Sequence, residues 1–372
     1  MSDFSKYGGP SEEWLAVQAT LPAPPTNQQM LEGKRVVNEG REAISAKDME
    51  VLASKIRTKD FQVPTRDGSF VEARRYRPIT VSASQALPVY IHLHGGGYLY
   101  GTLSSEDAIC SRIACGAGVV VLNINYRHTP EHVYPTAWND VEDAFEWAHA
   151  HMKDLGGNGQ EVVVGGISAG AQLAASLTLR QHLKQTRGAI ESCPAIAGQV
   201  LMIPCLAHVA CYKPQLERLK DASLSSYNEN EHAPILPLKT ARFFTELLKV
   251  ENPQVNDTRL NPGNATSAQV KGLPSTVFGI AGLDPLRDEG LLYAELLTET
   301  GLVESPAIDI GEEAYFAHRV PTDVNLFRGV PHGFRRFGDK LSASARWDEV
   351  MEKGIRWALG KPSSSESFII KT

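Results

Sequence analysis

Ser168 stands at the centre of Gly166-Ile167-Ser168-Ala169-Gly170, a placement in which a hydroxyl can act as a nucleophile. The residues before it, Val162 to Ile167, form a continuous β-branched run of the kind found in a buried strand, and the alanine- and leucine-rich run after it has a helical pattern. A strand that turns into a helix within so few small residues holds the turn residue in a strained conformation and lifts its side chain clear of the sheet, while the flanking glycines let strand and helix crowd together. The pentad also occurs in ordinary strand-to-helix junctions, so the rest of the chain must decide. A serine hydroxyl needs a base to become nucleophilic near neutral pH. His332, in Gly329-Val330-Pro331-His332-Gly333-Phe334 after the last apolar run, is where that base is required. Asp284, just beyond the run ending at Leu283, can hold such a histidine in the right tautomer and stabilise its imidazolium form. Asp288 and Glu289 compete for that role, but they fall in the first turn of the following helix, where acidic residues complement the macrodipole. His318 competes with His332, yet it does not directly follow a strand.

Acyl transfer through a serine creates a tetrahedral oxyanion, which needs preorganised donors worth about 3 to 4 kcal/mol each. The stretch His92-Leu93-His94-Gly95-Gly96-Gly97-Tyr98 follows a buried run, and its three glycines leave backbone N–H groups uncovered and able to face an anion. The same loop could cradle a phosphate, but no G-K-[ST] follows and the pattern is not G-x-G-x-x-G. His94 is read as orienting the glycine loop rather than as moving protons.

These residues need a rigid frame. Strands are expected over Leu87 to Leu93, Val119 to Ile124, Val162 to Ile167, Val200 to Ile203, Thr276 to Ile280 and Val324 to Phe327, with helices over Ala137 to His151, Ala169 to Leu183, Leu286 to Thr300 and Ala345 to Leu359. Such alternation implies an α/β fold, a mostly parallel sheet with helices on both faces whose active site gathers at the carboxyl ends of the strands. Phe61 to Pro78 reads as a hairpin around Asp67-Gly68. Two stretches fall outside the alternation: residues 1–60, with short amphipathic patterns at Trp14-Leu15, Met30-Leu31, Val36-Val37 and Ile44 that need something to lie on, and residues 206–250. Residues 1–60 either form a lid over a core of residues 61–205 and 251–360 or merely decorate it, and residues 206–250 are read as a second lid piece; a frayed tail is expected at 361–372, and the excursion at Val303 to Thr322 has no assigned role.

Composition narrows the function classes. The 372 residues are 42% hydrophobic and 22% charged, with a formal net charge of −6, so no basic surface for nucleic acid is expected. No apolar run reaches the ~18 residues of a membrane span, and Met1 to Asn27 lacks the basic start and apolar core of a secretory signal. The expected compartment is the cytoplasm. Five cysteines (Cys110, Cys115, Cys193, Cys205 and Cys211) lack metal-ligand spacing and are read as reduced, with neither a disulfide framework nor a structural zinc site; the serine chemistry itself is expected to need no metal and no organic cofactor.

With these motifs assembled, the chain resembles an α/β-hydrolase of the hormone-sensitive-lipase-like carboxylesterase family. The resemblance rests on His94-Gly95-Gly96-Gly97, Tyr126-Arg127-His128-Thr129-Pro130-Glu131-His132, Gly166-Ile167-Ser168-Ala169-Gly170, Asp284-Pro285-Leu286-Arg287-Asp288-Glu289 and His332-Gly333-Phe334, spanning roughly Leu87 to Gly360. It implies Ser168 as nucleophile, His332 as base, Asp284 as its orienter, the N–H groups of Gly96, Gly97 and Ala169 as oxyanion donors with Gly95 and His94 in support, and a helical cap. The expected activity is hydrolysis of small soluble carboxylic esters with short to medium acyl chains, through an acyl-enzyme. A thioesterase, lactonase or transacylase would share this triad, and a non-catalytic receptor can share the fold; the intact triad speaks against the receptor. Tyr98, Leu206, Phe243 and Phe244 are the candidate pocket residues. Emulsified long-chain triglycerides are expected to be poor substrates, since no apolar stripe for an oil interface is evident. Ile167 stands where the family usually has Asp or Thr, and His128-Thr129 replaces its Leu-Ala. Neither departure touches the triad, and the sequence gives no sign of the oligomeric state.

Overall fold

The computed structural model describes residues 1–22, 26–186, 195–299, 320–360 and 370–372. A hairpin opens the sheet: β1 (Ile56–Pro64) and β2 (Phe70–Pro78) pair antiparallel about a turn in which Gly68 takes φ 80°, open to glycine because it carries no Cβ. Then come β3 (Leu87–Leu93), β4 (Val120–Asn125), β5 (Gly157–Ile167), β6 (Gly198–Met202), β7 (Ser275–Leu283), β8 (Thr322–Pro331) and β9 (Ile370–Lys371). Their order across the sheet is β1-β2-β4-β3-β5-β6-β7-β8-β9, and every pairing from β4 and β3 onward is parallel.

The apolar runs are continuous because both faces of the sheet are covered. Alternate residues of β5 point opposite ways: Val162 and Val164 join one core with Phe145 and Leu173, whereas Val163 joins another with Ile113 and Trp347. Among the described residues the α-helices of six residues or more are, in chain order, α1 (Glu12–Gln18), α2 (Asn27–Glu32), α3 (Lys34–Leu52), α4 (Asp107–Ala117), α5 (Thr136–Ala150), α6 (Ala169–Thr186), α7 (Leu238–Leu247), α8 (Arg287–Glu299) and α9 (Ser342–Leu359). Trp138, Phe145, Leu173, Leu177 and Leu291 fill one core, and Ile113, Trp347, Met351 and Ile355 the other.

Several expectations need correction. The first strand begins at Ile56, inside the stretch assigned to residues 1–60, because its register with β2 runs from Pro64↔Phe70 back to Ile56↔Pro78. Helix α4 was not foreseen: its buried face is built mainly from Ala108, Cys110, Ser111 and Ala114 beside one isoleucine, Ile113, a face with little hydrophobic contrast. The chain end is not wholly frayed, since Ile370 and Lys371 pair with Val324 and Asn325 at the sheet edge.

Helix α3 also departs from expectation. Its apolar residues Val36, Val37, Ile44 and Val51 are exposed, while Asn38, Arg41, Glu42, Ser45 and Asp48 face the protein beside the buried Leu52. The Asn38 side chain accepts the Gly101 N–H at 3.0 Å, Ser45 Oγ accepts the Ala108 N–H at 3.1 Å, and Asp48 pairs with Arg112 at 3.0 Å. An exposed apolar row with Val37, Ile44 and Val51 on one side of the helix therefore exists where none was expected.

Candidate active site

Strand register alone brings the candidate residues together. Leu93 of β3 pairs with Gly166 of β5, which sets the glycine loop beside the turn carrying Ser168. Leu283 of β7 pairs with Pro331 of β8, so Asp284 and His332 are each the next residue beyond one rung of the same ladder. All four loops leave the carboxyl edge of the sheet, as a parallel α/β fold requires.

At the turn, Ser168 has φ 54°, in the left-handed region that an L-residue adopts only under constraint. Its N–H donates to the Met202 carbonyl at 2.8 Å, and its own carbonyl accepts from the Gln172 N–H at 3.1 Å as α6 begins. The flanking glycines are required by crowding: a Cβ on Gly166 would lie 2.5 Å from the Leu93 carbonyl oxygen, and one on Gly170 2.5 Å from that of His94. Any side chain there would push the serine away from the end of β3.

His332 Nε2 lies 2.8 Å from Ser168 Oγ, and Nδ1 lies 2.7 Å from Asp284 Oδ2. Asp284 is buried at 1% exposure, and its other oxygen accepts the Leu286 N–H at 2.9 Å. A carboxylate facing Nδ1 calls for a proton on that nitrogen, which leaves the Nε2 lone pair free to accept from the serine hydroxyl. Gly333, at φ 66°, turns the chain sharply after the histidine.

Across from the serine, Gly96 and Gly97 have φ of 136° and 62°. Their N–H groups donate to no acceptor among the described residues, while the Gly96 carbonyl is taken by the N–H groups of Leu99 at 3.1 Å and Tyr100 at 3.0 Å. Ala169 is the first residue of α6, where an N–H has no intrahelical acceptor. These three N–H groups thus have no acceptor among the described residues, and two of them are on residues without side chains. A Cβ on Gly97 would fall within 2.6 Å of the Phe244 ring carbons. Gly97→Val should therefore lower kcat by about 100-fold or more, the scale of losing one oxyanion donor, with a smaller change in KM. Full kcat in that variant would make the loop purely structural.

His94 is fully buried, with Nδ1 3.1 Å from the Gly95 carbonyl oxygen and its ring stacked on Tyr126, whose hydroxyl donates to the His94 carbonyl at 2.7 Å. Burial pushes its imidazole down to about 4, so it stays neutral and braces the loop. The competing acids have other partners. Asp288 Oδ2 accepts the Ser226 N–H at 2.7 Å, and Glu289 accepts the N–H groups of Leu206 at 2.5 Å and Ala207 at 3.0 Å together with the Tyr227 hydroxyl at 2.6 Å. Burial pushes the Glu289 carboxyl up to about 7 against the pull of those hydrogen bonds. His318 lies outside the described residues, as do residues 303–319 of the excursion around it and Cys193.

The four pocket candidates separate. Leu206 has no exposed surface and belongs to the main core. Tyr98 is buried too, stacked on Trp138 with its hydroxyl donating to the Gln172 side chain, which in turn donates to the Leu260 carbonyl at 2.5 Å. Phe243 packs with Met30, Leu99 and Tyr100 and joins the N-terminal helices to α7. Only Phe244, half-buried over Gly97, reaches the glycine loop. Sequence reasoning missed Arg41, which contacts the Gly95 carbonyl, and Asn230, which donates to the Asp284 carbonyl at 3.1 Å; each lies far along the chain from the loop it holds, so no local pattern marks it. Among the described residues no group of three or more His, Cys, Asp or Glu could hold a metal ion, and no helix is long and apolar enough to cross a membrane.

Fold and site together define an α/β hydrolase, and a family model described as alpha/beta hydrolase fold matches residues 90–309. The chain belongs to that family, in its hormone-sensitive-lipase-like branch. It is 31% identical over 289 residues to Esterase LipI of Mycobacterium tuberculosis (strain ATCC 25618 / H37Rv), covering 77% of this chain and 76% of that one. It is 32% identical over 280 residues to Carboxylesterase NlhH of Mycobacterium tuberculosis (strain CDC 1551 / Oshkosh), covering 74% and 78%. Among solved structures, a bacterial heroin esterase superposes with a TM-score of 0.74 at 26% identity, over 95% of this chain and 99% of that one.

Proposed function

We propose that the protein is a serine hydrolase that cleaves small carboxylic esters through an acyl-enzyme. The observation that carries the reading is the continuous chain Ser168–His332–Asp284, at 2.8 and 2.7 Å, facing unpaired glycine N–H groups. Relatives named esterase and carboxylesterase support it. Ser168 Oγ attacks the ester carbonyl while His332 Nε2 takes its proton, and the negative oxygen settles against the N–H groups of Gly96, Gly97 and Ala169. His332 returns the proton to the leaving alkoxide, and the alcohol departs. Water then repeats the sequence on the acyl-serine, giving up one proton to His332, and the acid and free Ser168 are released.

The N-terminal helices and residues 206–250 form the cap in this reading. Phe244 walls the acyl side of the pocket, and its ring against Gly97 favours short to medium chains. A cytoplasmic setting is supported by the unpaired thiols of Cys110, Cys115, Cys205 and Cys211.

A nitrophenyl-ester series from acetate to palmitate, read as kcat/KM, tests substrate class and chain length together. The expected profile peaks at or below medium chains, with mass spectrometry placing a fluorophosphonate adduct on Ser168. An emulsified triglyceride belongs in the series because of the exposed residues on α3. A maximum at palmitate or a rate jump on emulsification would make the enzyme a lipase, and an adduct on another residue would reject the site.

A further inference from the structure

One arginine ties the N-terminal helices to the glycine loop. Arg41 of α3 donates from Nη1 and Nη2 to the Gly95 carbonyl, both at 3.2 Å, and Nη2 also reaches Glu106 Oε1 at 2.8 Å. Glu106 is 2% exposed, and its second oxygen lies 3.1 Å from His92 Nε2. Burial alone would raise the Glu106 carboxyl, yet the His92 hydrogen bond and the Arg41 charge outweigh it and bring it down to about 2, so the anion that holds the guanidinium persists at any working pH.

The geometry of one peptide unit gives this contact its meaning. A trans peptide is planar, so the carbonyl of Gly95 and the N–H of Gly96 point in opposite directions. Arg41, with His94 Nδ1 3.1 Å from the same oxygen, fixes the carbonyl and so aims the Gly96 N–H to the opposite side. Glycine on both sides of this unit offers little resistance to rotation, because no Cβ restricts φ and ψ. A rotated unit would present the Gly95 oxygen to the developing oxyanion and replace attraction with repulsion. The guanidinium also packs closely: a Cβ on Gly96 would lie 2.9 Å from Arg41 Nη1.

We propose that Arg41 is a positioning residue for the oxyanion hole, holding the Gly95–Gly96 peptide in its donating orientation from a helix outside the hydrolase core. The proposal rests on the ester-hydrolase reading above. Helix α3 is seated on the same side by Asn38 on the Gly101 N–H, by Glu42 accepting from Thr102 Oγ1 at 2.6 Å and by Ser45 on the Ala108 N–H. A shift of the helix would withdraw Arg41 with it, so seating of this helix and formation of the hole are one event.

The test compares R41M, R41K and wild type on a nitrophenyl ester of medium chain length, together with two inhibitors. A trifluoromethyl ketone adds to the serine and presents an oxyanion, whereas its methyl ketone counterpart binds without doing so. R41M is expected to lose roughly 100-fold in kcat with KM changed less than about threefold, matching the loss of one oxyanion donor. Its affinity for the trifluoromethyl ketone should fall by the same factor as kcat/KM, with the methyl ketone unaffected. R41K, which keeps the charge but not the fork, should fall between. If R41M does not fold, R41K carries the same comparison. Equal losses for both ketones, or a change confined to KM, would overturn the proposal, because Arg41 would then only seat the helix. An inactive wild type would reject the hydrolase reading instead, so the two failures are distinguishable.

Discussion

Ser168→Ala is expected to lower kcat for ester hydrolysis by about 10⁴- to 10⁶-fold, the range seen when the nucleophile of a serine triad is removed. The loss is large because the serine and its base act as a unit: without the hydroxyl, the His332 lone pair has only water to activate, and no acyl-enzyme forms. The remaining rate above the uncatalysed reaction would come from the glycine donors and from binding. Stability should change little. Alanine removes one oxygen at a half-buried position, keeps the same backbone, and leaves the Ser168 N–H bond to Met202 and the crowding at Gly166 and Gly170 untouched. The measurement is kcat beside the midpoint of thermal unfolding. Turnover within tenfold of the parent would remove Ser168 as nucleophile, and a collapse of the midpoint would show that the hydroxyl supports the fold.

The sheet and its edge were legible because they rest on local rules. Val162 to Ile167 could be read as a strand, and Gly166 and Gly170 as a forced turn, from the chemistry of a handful of neighbours. Asp284 and His332 could be read because each directly follows an apolar run, and the pairing of Leu283 with Pro331 turns that placement into contact. What was illegible depends on contacts between distant segments. Helix α3 reads as amphipathic, but it is seated by Asn38, Arg41, Glu42 and Ser45 with its valines outward, because the surface it meets offers the Gly101 and Ala108 N–H groups and the Gly95 carbonyl. Backbone groups that need partners outweigh the apolar stripe there. Leu206 and Phe243 illustrate the opposite error: apolar residues near a site were read as its wall, and they are packing within and between elements. Asp288 and Glu289 instead hold Ser226, Tyr227 and the backbone at Leu206 and Ala207, a role with no sequence signature.

Asp284→Asn should lower kcat about 10⁴-fold, as the equivalent change does in a serine triad whose geometry it leaves intact. The Asn side chain can keep its oxygen on the Leu286 N–H only by turning its amide toward His332 Nδ1, and an N–H there demands an unprotonated Nδ1. The imidazole proton then sits on Nε2, facing Ser168 Oγ, and the base is lost. His332→Ala should be at least as severe, since it removes the acceptor itself. His94, held down at about 4, and Glu106, at about 2, keep their states across the neutral range. Glu289, raised to about 7, gains its proton more readily in the folded state than in the unfolded chain, so its contribution to stability is full below the ordinary carboxyl range and is lost as pH rises through about 7. Its effect therefore opposes unfolding on the acid side. The far-UV spectrum should stay unchanged as pH is lowered through 7, and a loss of structure there would reject this role for Glu289. A kcat within tenfold of wild type for Asp284→Asn would return the orienting role to another carboxylate.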